Sequence, residues 1–228
     1  MDWERMFKKL GELTPASWIA IGALLALGVV LLAVSRKKEK WSPAMLAFAA
    51  LCIALSFLLS NIRLYRMPQG GSVTPASMLP LMLFAYAFGL APGLLAGLAY
   101  GLLQLVQMPT ILTPFQVILD YPLAFAVLGL AGVLRGWVQK GGNEYVGLAI
   151  GVCLASVLRF ACSTLSGVLF FAEYAEGSGY TPLVYSVVYN GSYMLPEMLV
   201  CLAIALLVGK RLATVMRKSA GLPAPAAR

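Results

Sequence analysis

The sequence predicts an all-α fold, a polytopic membrane helical bundle. Of its 228 residues, 61% are apolar and only 11% are charged, whereas soluble domains carry roughly 25% charged residues. A helix needs about 20 apolar residues to cross a bilayer, and the chain has several runs of that length. Three runs carry no charge, Leu13–Ser35, Trp41–Ile62 and Met67–Leu119, and two carry a single charge each, Tyr145–Phe171 and Gly177–Gly209.

Most helix starts are marked by a hydroxyl residue followed by proline. The hydroxyl accepts a hydrogen bond from a free backbone N–H, and the proline already has a helical φ angle. Five such pairs precede apolar segments: Thr14-Pro15, Ser42-Pro43, Thr74-Pro75, Thr113-Pro114 and Thr181-Pro182. Ala91-Pro92 and Asn143-Glu144 are expected to open two more helices. The predicted helices are 15–35, 43–62, 75–88, 92–107, 114–134, 144–171 and 182–209.

Lysine and arginine predict the orientation, because cytoplasmic loops of membrane proteins are enriched in both. Placing the loop Arg36–Lys40 in the cytoplasm puts eleven of the seventeen basic residues on that side. We therefore expect a multi-pass cell-membrane protein with its N-terminus outside and its C-terminus in the cytoplasm. This topology explains most of the net charge of +8, so the charge requires no nucleic-acid partner. As a membrane protein, the chain is expected to contact membrane lipid.

Several kinds of chemistry are excluded or disfavoured. The chain has no histidine, and its four cysteines lie within predicted helices without a CxxC pair, which favours a packing role over a disulfide or a metal site. No GxxxxGK[ST] motif is present, so the chain is not expected to hydrolyse nucleotide. We predict a protein that is not an enzyme and has no cofactor and no metal.

Polar side chains follow one face of four predicted helices. Gln116 and Asp120 are four residues apart and therefore share a face. A charged group inside the bilayer costs about 3 kcal/mol, so such residues are expected to face the bundle interior and to be functional. The other stripes are Tyr100, Gln104 and Gln107; Ser156, Arg159, Ser163 and Ser166; and Ser186, Asn190, Tyr193 and Glu197. Together they predict one ligand cavity in the outer half of the membrane.

A structural role is the alternative to a cavity. Polar stripes also form where helices hydrogen-bond to one another, and a small-residue run such as "GLLAGLAYG" is typical of helix packing. In this alternative, Asp120 and Arg159 form a buried structural pair and bind no ligand.

Four motifs, in order and at matching spacing, resemble a known family. They are "MPQGGSV" followed by "MLP", "FQVILDYPLAF", "RFACSTLSGVLFF" and "YSVVYNGSYMLP". Over about residues 44–209 the sequence resembles the thiamine-specific S components (ThiT type) of energy-coupling factor (ECF) transporters. The resemblance implies six core transmembrane helices plus one extra N-terminal helix. It also implies thiamine as ligand, and an ECF coupling protein and two cytoplasmic ATPases as partners.

The corresponding division of the chain has three parts. Residues 1–40 form the extra N-terminal transmembrane helix and a basic cytoplasmic loop, residues 41–212 form the six-helix core, and residues 213–228 form a cytoplasmic tail.

The resemblance also implies a binding site, residue by residue. Asp120, with Tyr121 beside it, matches the carboxylate that pairs with the aminopyrimidine ring of thiamine, and Phe171 matches an aromatic residue that stacks on the ligand. The loop Arg63–Ser77 is expected to close the site. The predicted substrate-binding residues are Asp120, Tyr121, Gln116, Ser163, Phe171, Tyr185 and Asn190. An AxxxA pattern at Ala50 and Ala54 is expected to contact the coupling protein.

Other functions remain open on the sequence alone. Ser163 stands where members of the family usually carry a histidine, which favours an S component for another small vitamin or for a thiamine precursor. A stand-alone proton-coupled carrier would use Asp120 as its titrating group. A scaffold protein would bind no ligand at all.

Overall fold

The computed structural model describes residues 41–106 and 110–222, together with the isolated Gly22. Within these residues the fold is all-α apart from one short hairpin. The described ranges hold six long helices, α1 (Pro43–Asn61), α2 (Leu79–Phe88), α3 (Leu90–Gln104), α4 (Pro114–Gln139), α5 (Glu144–Phe170) and α6 (Pro182–Ser219). A short 3-10 helix, Ala172–Ala175, follows α5. By length and composition, α1, α4, α5 and α6 are able to cross a membrane. The predicted helix 15–35 lies outside the described residues.

Four predicted helix starts carry the expected cap. The hydroxyl oxygens of Ser42, Thr113 and Thr181 each accept a hydrogen bond from the backbone N–H three residues later, at 3.2, 3.1 and 3.3 Å. Asn143 Oδ1 accepts from the N–H groups of Tyr145 and Val146. These bonds satisfy donors that a helix leaves free in its first turn, so α1, α4, α5 and α6 begin where the sequence predicts.

The helix start predicted at Thr74 is wrong. α2 begins at Leu79, although the Thr74 hydroxyl accepts a hydrogen bond of 3.3 Å from the backbone N–H of Ser77, as a helix cap would. Ala76 has a φ of +61°, a left-handed conformation that interrupts a helix. The same hydroxyl is hydrogen-bonded to the carboxylate of Glu197 on α6, so this non-helical segment is also held by a distant part of the chain.

The last helix is longer than predicted. α6 continues ten residues beyond position 209, to Ser219, and so enters the segment assigned to the tail. Ala213 and Arg217 are buried, and Lys210 forms a salt bridge of 3.1 Å with Glu144 on α5. These tertiary contacts explain why the helix continues past its apolar stretch.

The helices alternate in direction around a buried centre. All ten residues of α2 are buried, and this helix packs against α1, α3, α4 and the last part of α6. One end of the bundle, which we call the cavity end, is where α1, α3 and α5 finish and α4 and α6 begin. We call the other end of the bundle the opposite end.

Glycines on α3 allow a close contact with α4. A Cβ atom on Gly97 would lie 2.2 Å from the carbonyl oxygen of Phe125, and one on Gly101 would lie 2.6 Å from that of Tyr121. The packing role predicted for the "GLLAGLAYG" run is therefore confirmed. The same contact fixes the part of α4 that carries Asp120.

A wide turn in α4 presents Asp120 and Tyr121. Leu119–Leu123 form one turn of π-helix that includes Pro122. Proline has no backbone N–H and interrupts the regular i→i−4 ladder, and single π turns of this kind are frequent at functional sites. Asp120 and Tyr121 therefore lie in a turn that is not regular α-helix.

A two-stranded hairpin covers the cavity end. Strands β1 (Tyr65–Arg66) and β2 (Ser72–Val73) pair in antiparallel register, with Tyr65 opposite Val73. Gly70, in the connecting turn, has a φ of +100°, which glycine adopts without strain. A Cβ atom on Gly71 would lie 2.6 Å from the ring of Tyr193, so the turn packs directly on α6.

Candidate ligand-binding cavity

The polar stripes of four helices meet in a cavity of about 520 Å³ at the cavity end. α3 contributes Gln104, α4 contributes Asp120, α5 contributes Arg159 and α6 contributes Asn190. The hairpin and the end of α1 complete the wall. The volume lies within the range of small-molecule sites, roughly 300–1,000 Å³.

Six of the seven predicted binding residues line this cavity, and one lies behind it. The lining residues are Asp120, Tyr121, Ser163, Phe171, Tyr185 and Asn190. Gln116 is fully buried and reaches the cavity only through Asp120. Their contact with a ligand remains a prediction.

Gln116 holds the carboxylate of Asp120 in place. Gln116 Nε2 donates a hydrogen bond of 2.6 Å to Asp120 Oδ2, and Gln116 Oε1 accepts one of 3.0 Å from the backbone N–H of Leu112. Because the amide is bonded at both ends, its orientation is fixed. Asp120 is therefore a positioned acceptor at the cavity wall.

Arg159 forms no salt bridge with Asp120. Its guanidinium lies 4.6 Å from the centre of the Phe125 ring, and Nη1 contacts the sulfur of Met78. Both side chains line the cavity, but they do not form the ion pair considered as the structural alternative. Such a cation–π contact stabilises a guanidinium while leaving its N–H groups available.

Tyrosines form one wall of the cavity. Tyr185, Tyr189 and Tyr193 follow one another at intervals of four on α6, with ring centres 6.2 and 5.8 Å apart. Phe171 stacks on Tyr174 at 5.8 Å with an interplanar angle of 14°. Tyr174 and Tyr189 were not among the predicted site residues, although the spacing of Tyr189 from its two neighbours places it on their face.

Two tyrosine hydroxyls hold the hairpin over the cavity. Gln69 Nε2 donates to Tyr185 Oη at 3.0 Å, and the backbone N–H of Gly71 donates to Tyr189 Oη at 3.1 Å. The loop Arg63–Ser77 thus lies where the sequence places it. Tyr185 serves as a contact to this loop as well as a lining residue.

Both ends of the Asn190 amide are hydrogen-bonded within the chain. Its Nδ2 donates to the backbone oxygen of Ser186 at 2.9 Å, and its Oδ1 accepts from Tyr193 Oη at 2.7 Å. Asn190 therefore positions the Tyr193 phenol at the cavity wall.

The lining suits a flat, polar, positively charged solute. Carboxylates accept hydrogen bonds from N–H groups and attract cations, and aromatic faces attract cationic rings. Within the described residues no group of three acidic or cysteine side chains is arranged to hold a metal. Ala50 and Ala54, the predicted contact for a coupling protein, are exposed on α1, away from the cavity.

An all-helical chain with long apolar helices and a polar cavity between them has the architecture of a membrane protein that binds a small solute. Residues 46–216 match the family described as Thiamine transporter protein (Thia_YuaJ). The chain belongs to that family, as the four sequence motifs predicted, and is a multi-pass membrane transporter and not an enzyme.

Individual relatives agree with the family match. The chain is 36% identical to the thiamine transporter ThiT of Bacillus subtilis (strain 168) over 143 residues, which span 59% of this chain and 73% of the relative. It is 33% identical to the thiamine transporter ThiT of Lacticaseibacillus paracasei over 124 residues, 50% of this chain and 61% of the relative. A solved structure of ThiT from Listeria monocytogenes is similar, with a TM-score of 0.65 and 28% identity. That similarity covers 78% of this chain and 97% of the Listeria chain.

Proposed function

We propose that the chain is the substrate-binding membrane subunit of an ECF transporter and that it captures thiamine in the cavity at the end of the bundle. The position of Asp120 carries this proposal. Its carboxylate lines the cavity, accepts a hydrogen bond from Gln116 and has no ion pair among the described residues. Such a carboxylate is suited to accept a hydrogen bond from the amino group of the aminopyrimidine ring.

The other lining residues are given matching roles. Phe171 stacks on a ligand ring, and Tyr121, next to Asp120, lines the same wall. Tyr185 contacts both the ligand and the hairpin, and Asn190 acts through Tyr193. The hairpin closes the site, since two hydrogen bonds already join its turn to α6.

The membrane arrangement is part of the same proposal. The six described helices form the transmembrane core, with the cavity end facing the outside and the C-terminus in the cytoplasm. The basic residues at the end of α6, Lys210, Arg211, Arg217 and Lys218, support this orientation because such residues are enriched on the cytoplasmic side.

Transport requires partners that this chain does not supply. We propose that an ECF coupling protein docks on α1 at Ala50 and Ala54, whose small side chains allow two helices to approach closely. Replacing both residues by leucine should abolish co-purification with the coupling module and leave thiamine affinity unchanged. Retained co-purification would place the docking surface elsewhere.

A thiamine precursor is the second candidate ligand, and Ser163 favours it. This residue lines the cavity at a position where members of this family usually carry a histidine. A pyrimidine ligand without the second ring would need Asp120 but fewer contacts along α5.

Mass spectrometry of the small molecule released on denaturation of the detergent-purified protein tests the ligand. We expect thiamine at close to one per chain, and calorimetry should then rank thiamine above its pyrimidine half and above riboflavin. Calorimetry is preferable to tryptophan fluorescence, because neither Trp41 nor Trp137 lines the cavity. Tighter binding of the pyrimidine half would select the precursor, and no bound or binding ligand would refute the proposal.

A further inference from the structure

The cavity continues deeper into the bundle than the predicted binding residues. Glu197 lies seven residues after Asn190 on α6, which is about 10 Å along the helix axis, and both residues line the cavity. Glu197 is only 2% exposed. A carboxylate at this depth is energetically costly, so it is a candidate functional residue. None of the residue roles assigned above involves it.

Glu197 is held by hydroxyl groups and not by a cation. Ser77 Oγ donates to Glu197 Oε1 at 2.9 Å, and the Thr74 hydroxyl is hydrogen-bonded to the same oxygen. Within the described part of the chain, no hydrogen bond reaches Oε2 and no lysine or arginine lies within ion-pair distance. The two hydroxyls also contact each other at 2.7 Å, so they form one buried hydrogen-bonded cluster with the carboxylate.

The charges around the cavity match a monovalent cation. Asp120, Arg159 and Glu197 all line the same cavity. One positive and two negative groups leave a formal charge of −1. Arg63 and Arg66 also line the cavity, but they belong to the exposed hairpin segment, where solvent and salt screen them.

We propose that Glu197 is a second anionic binding residue and that its carboxylate takes the positively charged ring of the ligand. Thiamine carries one permanent positive charge, on its thiazolium ring, whereas its aminopyrimidine ring is neutral. Asp120 then serves the neutral ring and Glu197 the cationic ring. This inference rests on the proposed function, because it requires a ligand with one hydrogen-bonding ring and one cationic ring.

A purely structural role for Glu197 makes a different prediction. If the carboxylate only anchors the Thr74–Ser77 segment, its loss affects every ligand of the same shape equally. If it binds the cationic ring, its loss affects only charged ligands. A neutral analogue of thiamine, with a thiophene ring in place of the thiazolium, distinguishes the two roles.

Calorimetry with thiamine and this neutral analogue is the test. Glu197→Gln should weaken thiamine binding by about ten-fold or more, as expected for loss of a charge-assisted contact, and change binding of the neutral analogue by less than about two-fold. Asp120→Asn should weaken both ligands by a similar factor, because both carry the aminopyrimidine. Glu176→Gln, which removes an exposed carboxylate outside the cavity, should change neither.

Equal losses for both ligands in Glu197→Gln, or no loss for thiamine, would overturn the inference. Glu197→Asp keeps the charge but withdraws it by one methylene, and it guards against a glutamine variant that does not fold. It should reduce the preference for thiamine over the neutral analogue, and an unchanged preference would also overturn the inference. If the wild-type chain fails to bind thiamine, the proposed function fails first, which is a distinguishable result.

Discussion

Buried carboxylates at the two ends of the bundle are satisfied in different ways. At the opposite end, Glu144 forms a salt bridge with Lys210. At the cavity end, Asp120 accepts from the Gln116 amide, and Glu197 accepts from hydroxyl groups. Neither cavity carboxylate has an ion pair among the described residues.

The comparison separates two uses of a buried acid. The Glu144–Lys210 pair joins α5 to α6 and completes the fold, since each charge neutralises the other. Neutral donors orient Asp120 and Glu197 without an ion pair, and together with Arg159 these groups leave one negative charge uncompensated. A cationic ligand is then able to supply the compensation, so we expect charge pairing to distinguish structural acids from binding acids in this molecule.

Replacing one carboxylate by its amide at each end of the bundle should give the largest difference in thiamine affinity. Asp120→Asn should weaken thiamine binding by about ten-fold or more, because a charge-assisted hydrogen bond contributes about 1.5–3 kcal/mol. Glu144→Gln should leave binding unchanged. Calorimetry on both variants, each checked for helical content by circular dichroism, makes the comparison. Equal losses of thiamine affinity in the two variants would contradict the distinction between the carboxylates of the two ends.

Removing the stacking ring should have the next largest effect. Phe171→Ala should weaken thiamine binding by about five- to ten-fold, because aromatic pairs contribute about 0.5–1.5 kcal/mol beyond the area that they bury. Phe171→Trp should retain the affinity, since it keeps an aromatic face. The same calorimetric titration measures both variants. Weak binding by the tryptophan variant would argue against stacking at this position.

Removing the neutral donor should have a moderate effect. Gln116→Leu leaves the charge of Asp120 but frees its orientation, so we expect thiamine binding to weaken by about three- to five-fold, in line with the loss of a hydrogen bond of about 1 kcal/mol. Gln139→Leu, at the exposed opposite end of the same helix, is the matched control. A loss as large as that of Asp120→Asn would mean that the glutamine itself contacts the ligand.

Breaking the structural pair should have the smallest effect on binding. Lys210→Met should leave thiamine affinity unchanged but reduce the stability of the fold by about 1 kcal/mol, a modest value because Lys210 is 37% exposed and partly screened. For a chain of this size that corresponds to a fall in melting temperature of about 2–4 °C. Thermal unfolding in detergent measures it, and the exposed Lys218→Met provides the control. A weakened thiamine affinity would contradict the assignment.

Local sequence predicted most of the helices and one contact at the cavity wall. Caps such as Thr113 act over three residues, and the contact between Gln116 and Asp120 follows from their spacing on one helix. Apolar runs identified the long helices for the same reason, since the signal lies within the element itself.

Features that depend on distant contacts were beyond the sequence patterns. Thr74 has the local features of a helix cap, yet its hydroxyl bonds to Glu197, which is 123 residues away. The contact of Arg159 with Phe125 joins α5 to α4, and no periodicity in either helix indicates it. The contacts of the hairpin with Tyr185 and Tyr189 are of the same kind.

A structure of the thiamine-bound chain is the most direct test of the central claim. That claim is that the cavity carboxylates, which form no salt bridge among the described residues, bind the ligand. We predict that the amino group of the pyrimidine lies within hydrogen-bond distance of Asp120, and that Glu144 keeps Lys210 as its partner. Thiamine bound outside the cavity, or Asp120 paired with Arg159 and not touching the ligand, would contradict the account.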